Sequence, residues 1–538
     1  MTGETVGGTE HGGRLRTEQS PTTRPCPGPA TPPPLDRTER RQLHMVRHFG
    51  TLGSLLLAIA SLGAGAAPVN NPTNGVRLLG LPARMPTTSL AVAYVGMAMV
   101  VLAWLWLGRL ARPGRPRMLS RTQLDRTLVM WAAPLIVAPP MFSRDVYSYL
   151  AQSEIVSRGI DPYELGPIDA LGPDHPLTRG VPNIWRDTPA PYGPLFLTLG
   201  RLVTAIAGDD VVLGILLQRA LALAGVAMIV WALPRLARRC GVQPVSALWL
   251  GAANPLVLFH LVSGIHNEAL MVGLMLAGFE IALRTWGDGP LGRVAPVVVG
   301  ATLITLSACI KIPSALALGF LGAALARRWG GRLTDLMRAA LLLTVIFVVA
   351  LTAVCLFSGL GFGWLGALGT PNKVKSWMSP ATALGMLGGG IGIALGLGNH
   401  SDAVITLTRA IGQGLSGVIC LGLLWVSFRS WRGYRAREPL AGLGIALGAV
   451  VLLGPVVHPW YLLWAAIPLA AATTSRRFRR AATVISVALA LAVPPPGATF
   501  DGRAYVVPQA IVAAAIATVL LLLVVRHRIP RTSETQTA

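Results

Sequence analysis

The sequence predicts an all-α polytopic membrane protein with about 14 transmembrane helices and short re-entrant or interfacial helices in its outer loops. Three observations carry this. Of the 538 residues, 53% are hydrophobic and only 13% charged, far from a soluble domain. Apolar runs long enough to cross a bilayer recur almost to the C-terminus. Between them lie short arginine clusters, such as Arg235-Leu-Ala-Arg-Arg239 and Arg476-Arg-Phe-Arg-Arg480, the pattern of cytoplasmic loops.

Residues 1–44, rich in Pro, Thr, Gly and Arg with no apolar period, read as a disordered cytoplasmic tail. Residues 45–527 form one membrane domain, followed by a cytoplasmic tail at 528–538. The run Thr51 to Ala67 ends in small residues like a signal peptide, but its charged leader is too long, so it reads as an uncleaved first span.

The net charge of +23 belongs to the inner loops rather than to a nucleic-acid face, because no basic surface with a reading motif accompanies it. The five cysteines are scattered and have neither metal-site nor disulfide spacing. No phosphate-binding loop, dinucleotide fingerprint or zinc signature is present, which argues against nucleotide substrates.

Placing the basic clusters inside puts spans near 49–66, 88–110, 126–142, 211–233, 245–262, 269–285, 338–357, 404–428, 440–456, 460–474, 480–496 and 506–526. The run 294–326 is too long for one span. Breaking it at Lys311-Ile312-Pro313 gives two short spans with Lys311 at the outer face. Segments 192–208 and 381–398 are expected to be re-entrant or interfacial, since crossings there would put the basic clusters outside. Both termini are then cytoplasmic, and the long outer loops are 67–87, 143–210 and 358–403.

The outer loops hold most of the non-basic polar residues. Loop 143–210 opens with Ser143-Arg144-Asp145-Val146-Tyr147-Ser148-Tyr149, directly after a span. An acidic residue at that junction is costly beside lipid and marks a functional position. The following residues read as an amphipathic interfacial helix, capped by Ser143 and stopped by Gly159. Asp145 would occupy its first turn, where the helix dipole favours the carboxylate and partial burial opposes it. The alternative is a helix-capping aspartate.

Further along, Asp161 and Glu164 either contact sugar hydroxyls or a cation, or solvate a loop. Trp185, Arg186, Asp187 and Tyr192 lie among stiff Pro and Gly turns. Their flat rings suit a sugar or polyprenyl chain, and equally an interfacial aromatic belt. His266-Asn267-Glu268 can hydrogen-bond a hydroxylated substrate or cap the next span. His458 and Trp460 sit at the outer end of another span, to line a substrate groove or to serve structure alone. Lys311, Lys373 and Lys375 are the outer lysines, and Lys311 is placed either to meet a phosphate or to snorkel.

The stretches Phe142-Ser-Arg-Asp-Val-Tyr-Ser-Tyr-Leu-Ala-Gln-Ser153, Asp161-Pro-Tyr163, Arg186-Asp-Thr-Pro-Ala-Pro-Tyr-Gly-Pro-Leu-Phe196, Ser246 to Pro255, Ile265-His-Asn-Glu-Ala-Leu270 and His458-Pro-Trp-Tyr461 resemble the actinobacterial α-(1→6)-mannopyranosyltransferases of the MptA/MptB type. Asn71-Pro-Thr-Asn-Gly-Val-Arg77 and Ser376-Trp-Met-Ser-Pro380 look closer to MptB, and the resemblance covers roughly 45–525. It implies a GT-C glycosyltransferase of the plasma membrane with an extracytoplasmic active site. The implied donor is polyprenyl-phosphate mannose. The implied acceptor is a mannosylated glycolipid on the way to lipomannan and lipoarabinomannan.

Asp145 matches the family's catalytic acidic position in the first large outer loop, here preceded by two extra spans. It stands alone rather than in an Asp-X-Asp pair, which leaves a divalent metal open. Lys311, Arg144 and Arg186 are the candidates for the donor phosphate. Tyr147, Tyr149, Asp161, Glu164, Trp185, Asp187, Tyr192, His266, Asn267, Glu268, His458 and Trp460 are the candidates for sugar or acceptor. The rival classes are a secondary transporter and a flippase for lipid-linked sugars. A transporter commonly carries internal repeats, and none is visible here.

Overall fold

The structure is a computed structural model that describes residues 2–3, 33–287, 289–429, 438–497 and 506–528. Among these residues the secondary structure is helical throughout. Asp36 starts the first helix through a capping box: its Oδ1 accepts from the Glu39 N–H, and the Glu39 carboxylate accepts from the Asp36 N–H. Residues 37–44, expected in the tail, are therefore helical. Most of the tail, the C-terminal residues 529–538, the basic stretch 430–437 and the loop 498–505 lie outside the described residues.

The helices that build the bundle are α1 Arg37–Ala64, α2 Pro86–Ala111, α3 Arg121–Val137, α4 Asp145–Ser157, α5 Pro194–Ala207, α6 Val211–Arg239, α7 Glu268–Ala282, α8 Pro290–Ala308, α9 Leu316–Trp329, α10 Leu333–Ser358, α11 Pro380–Ala394, α12 Ser401–Arg429, α13 Pro439–Leu453, α14 Leu462–Ala472, α15 Arg476–Ala492 and α16 Val506–Arg528. Each of the twelve spans placed by charge falls on helix. Among the described residues seven helices are long and apolar enough to cross a membrane, or eight with one bent pair. A count near 14 therefore requires the shorter apolar helices to cross as well. α5 and α11, the two segments expected to be re-entrant, are among those shorter helices.

The outward faces are apolar. Leu341, Val345 and Val349 of α10 and Leu407, Ile411 and Val418 of α12 are exposed, the reverse of a water-soluble helix. Inside, α2 is tied to the short helix Pro244–Gly251 by a reciprocal pair of bonds. Trp104 Nε1 donates to the Trp249 carbonyl and Trp249 Nε1 to the Trp104 carbonyl, each at 2.9 Å. The two indoles stack at 5.1 Å, and Gly108 leaves the room, since a Cβ there would meet the Trp249 ring at 2.4 Å. Each bond contributes about 1 kcal/mol net in such a setting.

Two breaks position the site. The apolar run 294–326 stops at Ala308 and resumes in the turn Ile312–Ala315, with Lys311 between, as the run's length requires. The π-helical turn Val257–Ser263 meets α7 at a bend of 106°. At that bend Ile265 has φ +59, and nearby Phe142 has φ +67. Left-handed backbone costs about 1–3 kcal/mol at a non-glycine residue. Here it is held by long-range bonds: Phe142 N–H donates to the Pro495 carbonyl at 2.7 Å and Met141 N–H to the Ser263 carbonyl at 3.3 Å. Phe142 also stacks on Phe259 at 4.8 Å.

α4 corrects one expectation. The sequence suggests an amphipathic helix on the interface, yet Val146 to Ser153, Ile155 and Val156 are all buried, packed by α5 and α6. The N-cap is Arg144 rather than Ser143, although Ser143 Oγ, one residue earlier, accepts from the Asp145 N–H at 3.0 Å; Gly159 at φ +73 follows the helix end as expected.

Candidate active site

Asp145 begins α4 and opens onto a cavity of about 420 Å³. Its side chain keeps 21% of its surface exposed there. Tyr192, Lys311, His458, Tyr461 and Trp185 share that wall. Trp364, Asn372, Gln413 and Trp464 line the rest together with α13 residues such as Val450 and Val451.

The loop 191–195 is clamped to the break before Lys311. Gly193 N–H donates to the Ile310 carbonyl and Leu195 N–H to the Cys309 carbonyl, both at 3.1 Å. Glycine is required at 193, because a Cβ would stand 2.2 Å from the Cys309 carbonyl oxygen. The clamp brings the Tyr192 ring under Lys311, whose Nζ lies 5.4 Å from that ring centre and 5.1 Å from that of Tyr461.

Lys311 also meets Glu268, Nζ to Oε1 at 2.5 Å. Glu268 and His266 are wholly buried and Asn267 nearly so. The short loop read as outer is thus enclosed by protein, because the 106° bend folds it inward. His266 Nδ1 is 3.4 Å from Asp145 Oδ2 and 3.9 Å from Glu268 Oε2, so the imidazole faces both carboxylates. Trp460 lies between two imidazoles, His266 at 3.8 Å and 22° and His458 at 4.6 Å and 2°.

Burial alone would raise the Asp145 carboxyl, but His266, then His458 and Lys311, more than offset it and hold it below the usual aspartate range. Burial likewise opposes the charge on Lys311, and Glu268 reverses that, leaving the ammonium above its ordinary value. Burial pushes His458 down to about 4. Near neutral pH the site therefore presents a carboxylate, an ammonium and a neutral imidazole to one cavity.

Other predicted residues are placed elsewhere. Arg144 donates to the carbonyls of Gly180 and Ala67 and lies over the Tyr147 ring. Arg186 donates to the carbonyls of Val181 and Arg179. Neither lines the cavity; both hold the loop around 176–187. Tyr147 is buried with its hydroxyl on the Ala66 carbonyl, and Tyr149 is buried edge-on to Tyr192 and Phe196. Asp161 is exposed and caps the Tyr163 N–H, while Glu164 and Asp187 are exposed outside the cavity. Tyr461, Trp364, Asn372, Gln413 and Trp464 are the wall residues that the sequence did not single out. Only Tyr461 carried a signal, as the neighbour of Trp460.

The same chain segments match known families. Residues 47–327 match the model for the α-(1→6)-mannopyranosyltransferase N-terminal domain, and 381–523 match the MptB C-terminal domain. The chain belongs to the α-(1→6)-mannopyranosyltransferase family. It is 50% identical to a probable α-(1→6)-mannopyranosyltransferase of Mycolicibacterium smegmatis, over 92% of this chain and 90% of that protein. Identity to an α-(1→6)-mannopyranosyltransferase of Mycobacterium tuberculosis is 48%, with the same coverage. Identity to α-(1→6)-mannopyranosyltransferase B of Corynebacterium glutamicum is 36%, over 86% of this chain and 79% of that one. No solved structure matches the chain. As a member of this mannopyranosyltransferase family the protein is a glycosyltransferase, and the C-terminal match places it with the MptB type.

Proposed function

We propose that the protein transfers mannose from polyprenyl-phosphate mannose to a mannosylated glycolipid, forming α-(1→6) bonds of the lipomannan and lipoarabinomannan core at the outer face of the plasma membrane. The observation that carries this reading is that Asp145 and Lys311 open onto one cavity. A base for the acceptor hydroxyl and a cation for the donor phosphate are the two groups such a transfer needs.

A β-linked donor giving an α-linked product inverts C1. The acceptor hydroxyl attacks C1 from the face opposite the phosphate, Asp145 takes its proton, and the C1–O bond electrons leave on the phosphate. Polyprenyl phosphate leaves readily, so no acid is needed. Lys311 balances its growing charge. Tyr192, Trp185 and Tyr461 offer ring faces for the sugars, and the apolar wall that Val450 and Val451 of α13 provide suits the lipid chain.

The donor set does not suit a divalent cation. Glu268 already holds Lys311, and among the described residues no group of three His, Cys, Asp or Glu side chains is arranged to hold a metal. No step is therefore routed through a metal.

The experiment is transfer by the purified chain in detergent from labelled polyprenyl-phosphate mannose to an α-(1→6)-mannoside lipid. Labelled product that an exo-α-mannosidase removes supports the reading. Movement of the donor across vesicles with no glycosidic product would instead indicate a flippase.

A further inference from the structure

The cavity has a second polar wall that the transfer, as described, does not use. It carries two side-chain amides, Asn372 from the stretch Gly363–Lys373 and Gln413 from α12. Both residues are exposed, and neither amide group makes a hydrogen bond among the described residues. Gln413 interrupts a helix long and apolar enough to cross a membrane, whose exposed Leu407, Ile411 and Val418 suit lipid. A polar side chain in such a helix is costly against lipid and marks a contact of its own.

The two amides are set side by side by Arg409. This arginine is buried, one helical turn before Gln413 on the same face of α12. Its guanidinium donates to the carbonyls of Asn372 and Val374, and its Nε to Thr382 Oγ1 at 2.9 Å. Gly412 closes α12 onto the end of α13, since a Cβ there would stand 2.5 Å from the Leu453 carbonyl oxygen. The stretch after Asn372 is pinned next to His458, Ser376 Oγ donating to the Val457 carbonyl at 3.1 Å. The amide wall is thus fixed relative to the charged end of the cavity.

We propose that Asn372 and Gln413 form a hydroxyl-binding subsite for the acceptor, which takes the sugar ring next to the mannose being glycosylated. This rests on the transfer proposed above, with Asp145 as base and Lys311 at the donor phosphate. In an inverting displacement the attacking hydroxyl and the leaving phosphate lie on opposite faces of C1. Lys311 fixes the phosphate side and Asp145 the attacking side, so the acceptor runs from Asp145 away from Lys311. Among the described residues Asp145 and Lys311 are the charged groups that line the cavity, and the amide wall is neutral. A side-chain amide both donates and accepts without charge. It matches a sugar hydroxyl, which does the same, and gives a phosphate no counter-charge. A cavity of about 420 Å³ is of the size that holds a ligand of several rings. Reading a second ring makes the enzyme select a glycan already begun over a single sugar, because a site built to bond hydroxyls rejects an analogue that lacks them.

The test measures initial rates of the full chain, Gln413→Leu, Asn372→Leu and the double variant in detergent. The donor is polyprenyl-phosphate mannose, and the acceptors are octyl α-mannoside and octyl α-(1→6)-dimannoside. The wild type is expected to use the dimannoside with the higher kcat/KM. Each substitution should raise the dimannoside KM roughly two- to tenfold, the worth of one neutral hydrogen bond. The double variant should bring the two acceptors to nearly equal kcat/KM. A structural role alone would lower yield or rate on both acceptors alike and leave their ratio where it was, which overturns the proposal. A wild type indifferent to the second ring overturns it as well. So does a rise in donor KM in place of acceptor KM, which would assign the amides to the donor. Should the leucine variants not fold, Gln413→Met and Asn372→Ala must show the same loss of preference. Failure of the wild type to glycosylate either acceptor from this donor would strike the proposed function itself, a separate outcome.

Discussion

His266 Nδ1 lies 3.4 Å from Asp145 Oδ2, so a helix start and a sharply bent helix junction supply the two halves of one close polar contact. Neither residue owes its place to its own helix alone. Asp145 is set by the bond from its N–H to Ser143 Oγ and by the left-handed Phe142 before it, and His266 by the left-handed Ile265 before it.

Asp145→Asn is expected to abolish transfer while leaving the fold intact, since the amide keeps the shape and loses the base. Losing a general base costs ~10²-fold or more in kcat. A folded Asp145→Asn enzyme with more than a few per cent of normal turnover would show that the proton goes elsewhere.

Lys311→Ala is expected to lower kcat/KM for the polyprenyl donor by about 1.5–3 kcal/mol, the worth of a charge-assisted bond. It should also destabilise the protein, because Glu268 is left buried and unpaired. Lys311→Arg is expected to recover only part, the wider guanidinium not fitting between Tyr192 and Tyr461. Normal donor kinetics in folded Lys311→Ala would return Lys311 to a purely structural pairing.

Trp460→Leu removes a ring stacked on both His266 and His458. Two aromatic contacts at about 0.5–1.5 kcal/mol each predict a lower thermal midpoint and a kcat loss of roughly tenfold, with donor KM little changed because Trp460 does not line the cavity. A rise in KM at constant kcat would mean that the indole touches substrate.

His458 provides a pH test. Its folded value, pushed by burial to about 4, is below the ordinary 6.5, so the unfolded chain binds the proton first as pH falls. Its contribution to stability is whole above pH 6.5 and is lost as pH drops toward 4. Thermal midpoints in detergent should decline across that window, and His458→Gln should flatten the decline. An equal decline in His458→Gln would assign it to other groups.

Sidedness follows from the basic loops. Cysteines placed at Asp174 or Pro371 should react with an impermeant maleimide on intact cells, and those at Arg238 or Arg476 should not. All four positions are exposed in the structure, so a failure to label reflects the side of the membrane. Labelling at Arg238 from outside would require α5 to cross.

Much of the site is legible in the sequence because polar residues that interrupt apolar runs are expensive there. Asp145 and Lys311 stand out in this way, Trp185 and Tyr192 as rings among stiff Pro and Gly turns, and His458 at the outer end of a span; all five reach the cavity. The helix break at Lys311 follows from the length of the run and from keeping Arg327 and Arg328 inside. The inward placement of His266-Asn267-Glu268 did not, because it depends on the bend at Ile265 and on packing between distant helices. Nor did the burial of α4, whose polar side chains face α5 and α6 instead of water. Arg144 and Arg186 looked like phosphate ligands by charge. Backbone carbonyls that no sequence pattern reveals claim them instead. Trp364 and Gln413 had no signal at all, being ordinary residues until the chain beyond 360 closes over the cavity.

The cavity draws its walls from both stretches that match family models and from the linker between them: Asp145 to Pro313 on one side, Trp364 to Asn372 in the connection, and Gln413 to Trp464 on the other. Neither portion encloses the reaction space by itself. Gene fragments cut near residue 375 should each be inert, and turnover should return only when the two are produced together and assemble in one membrane.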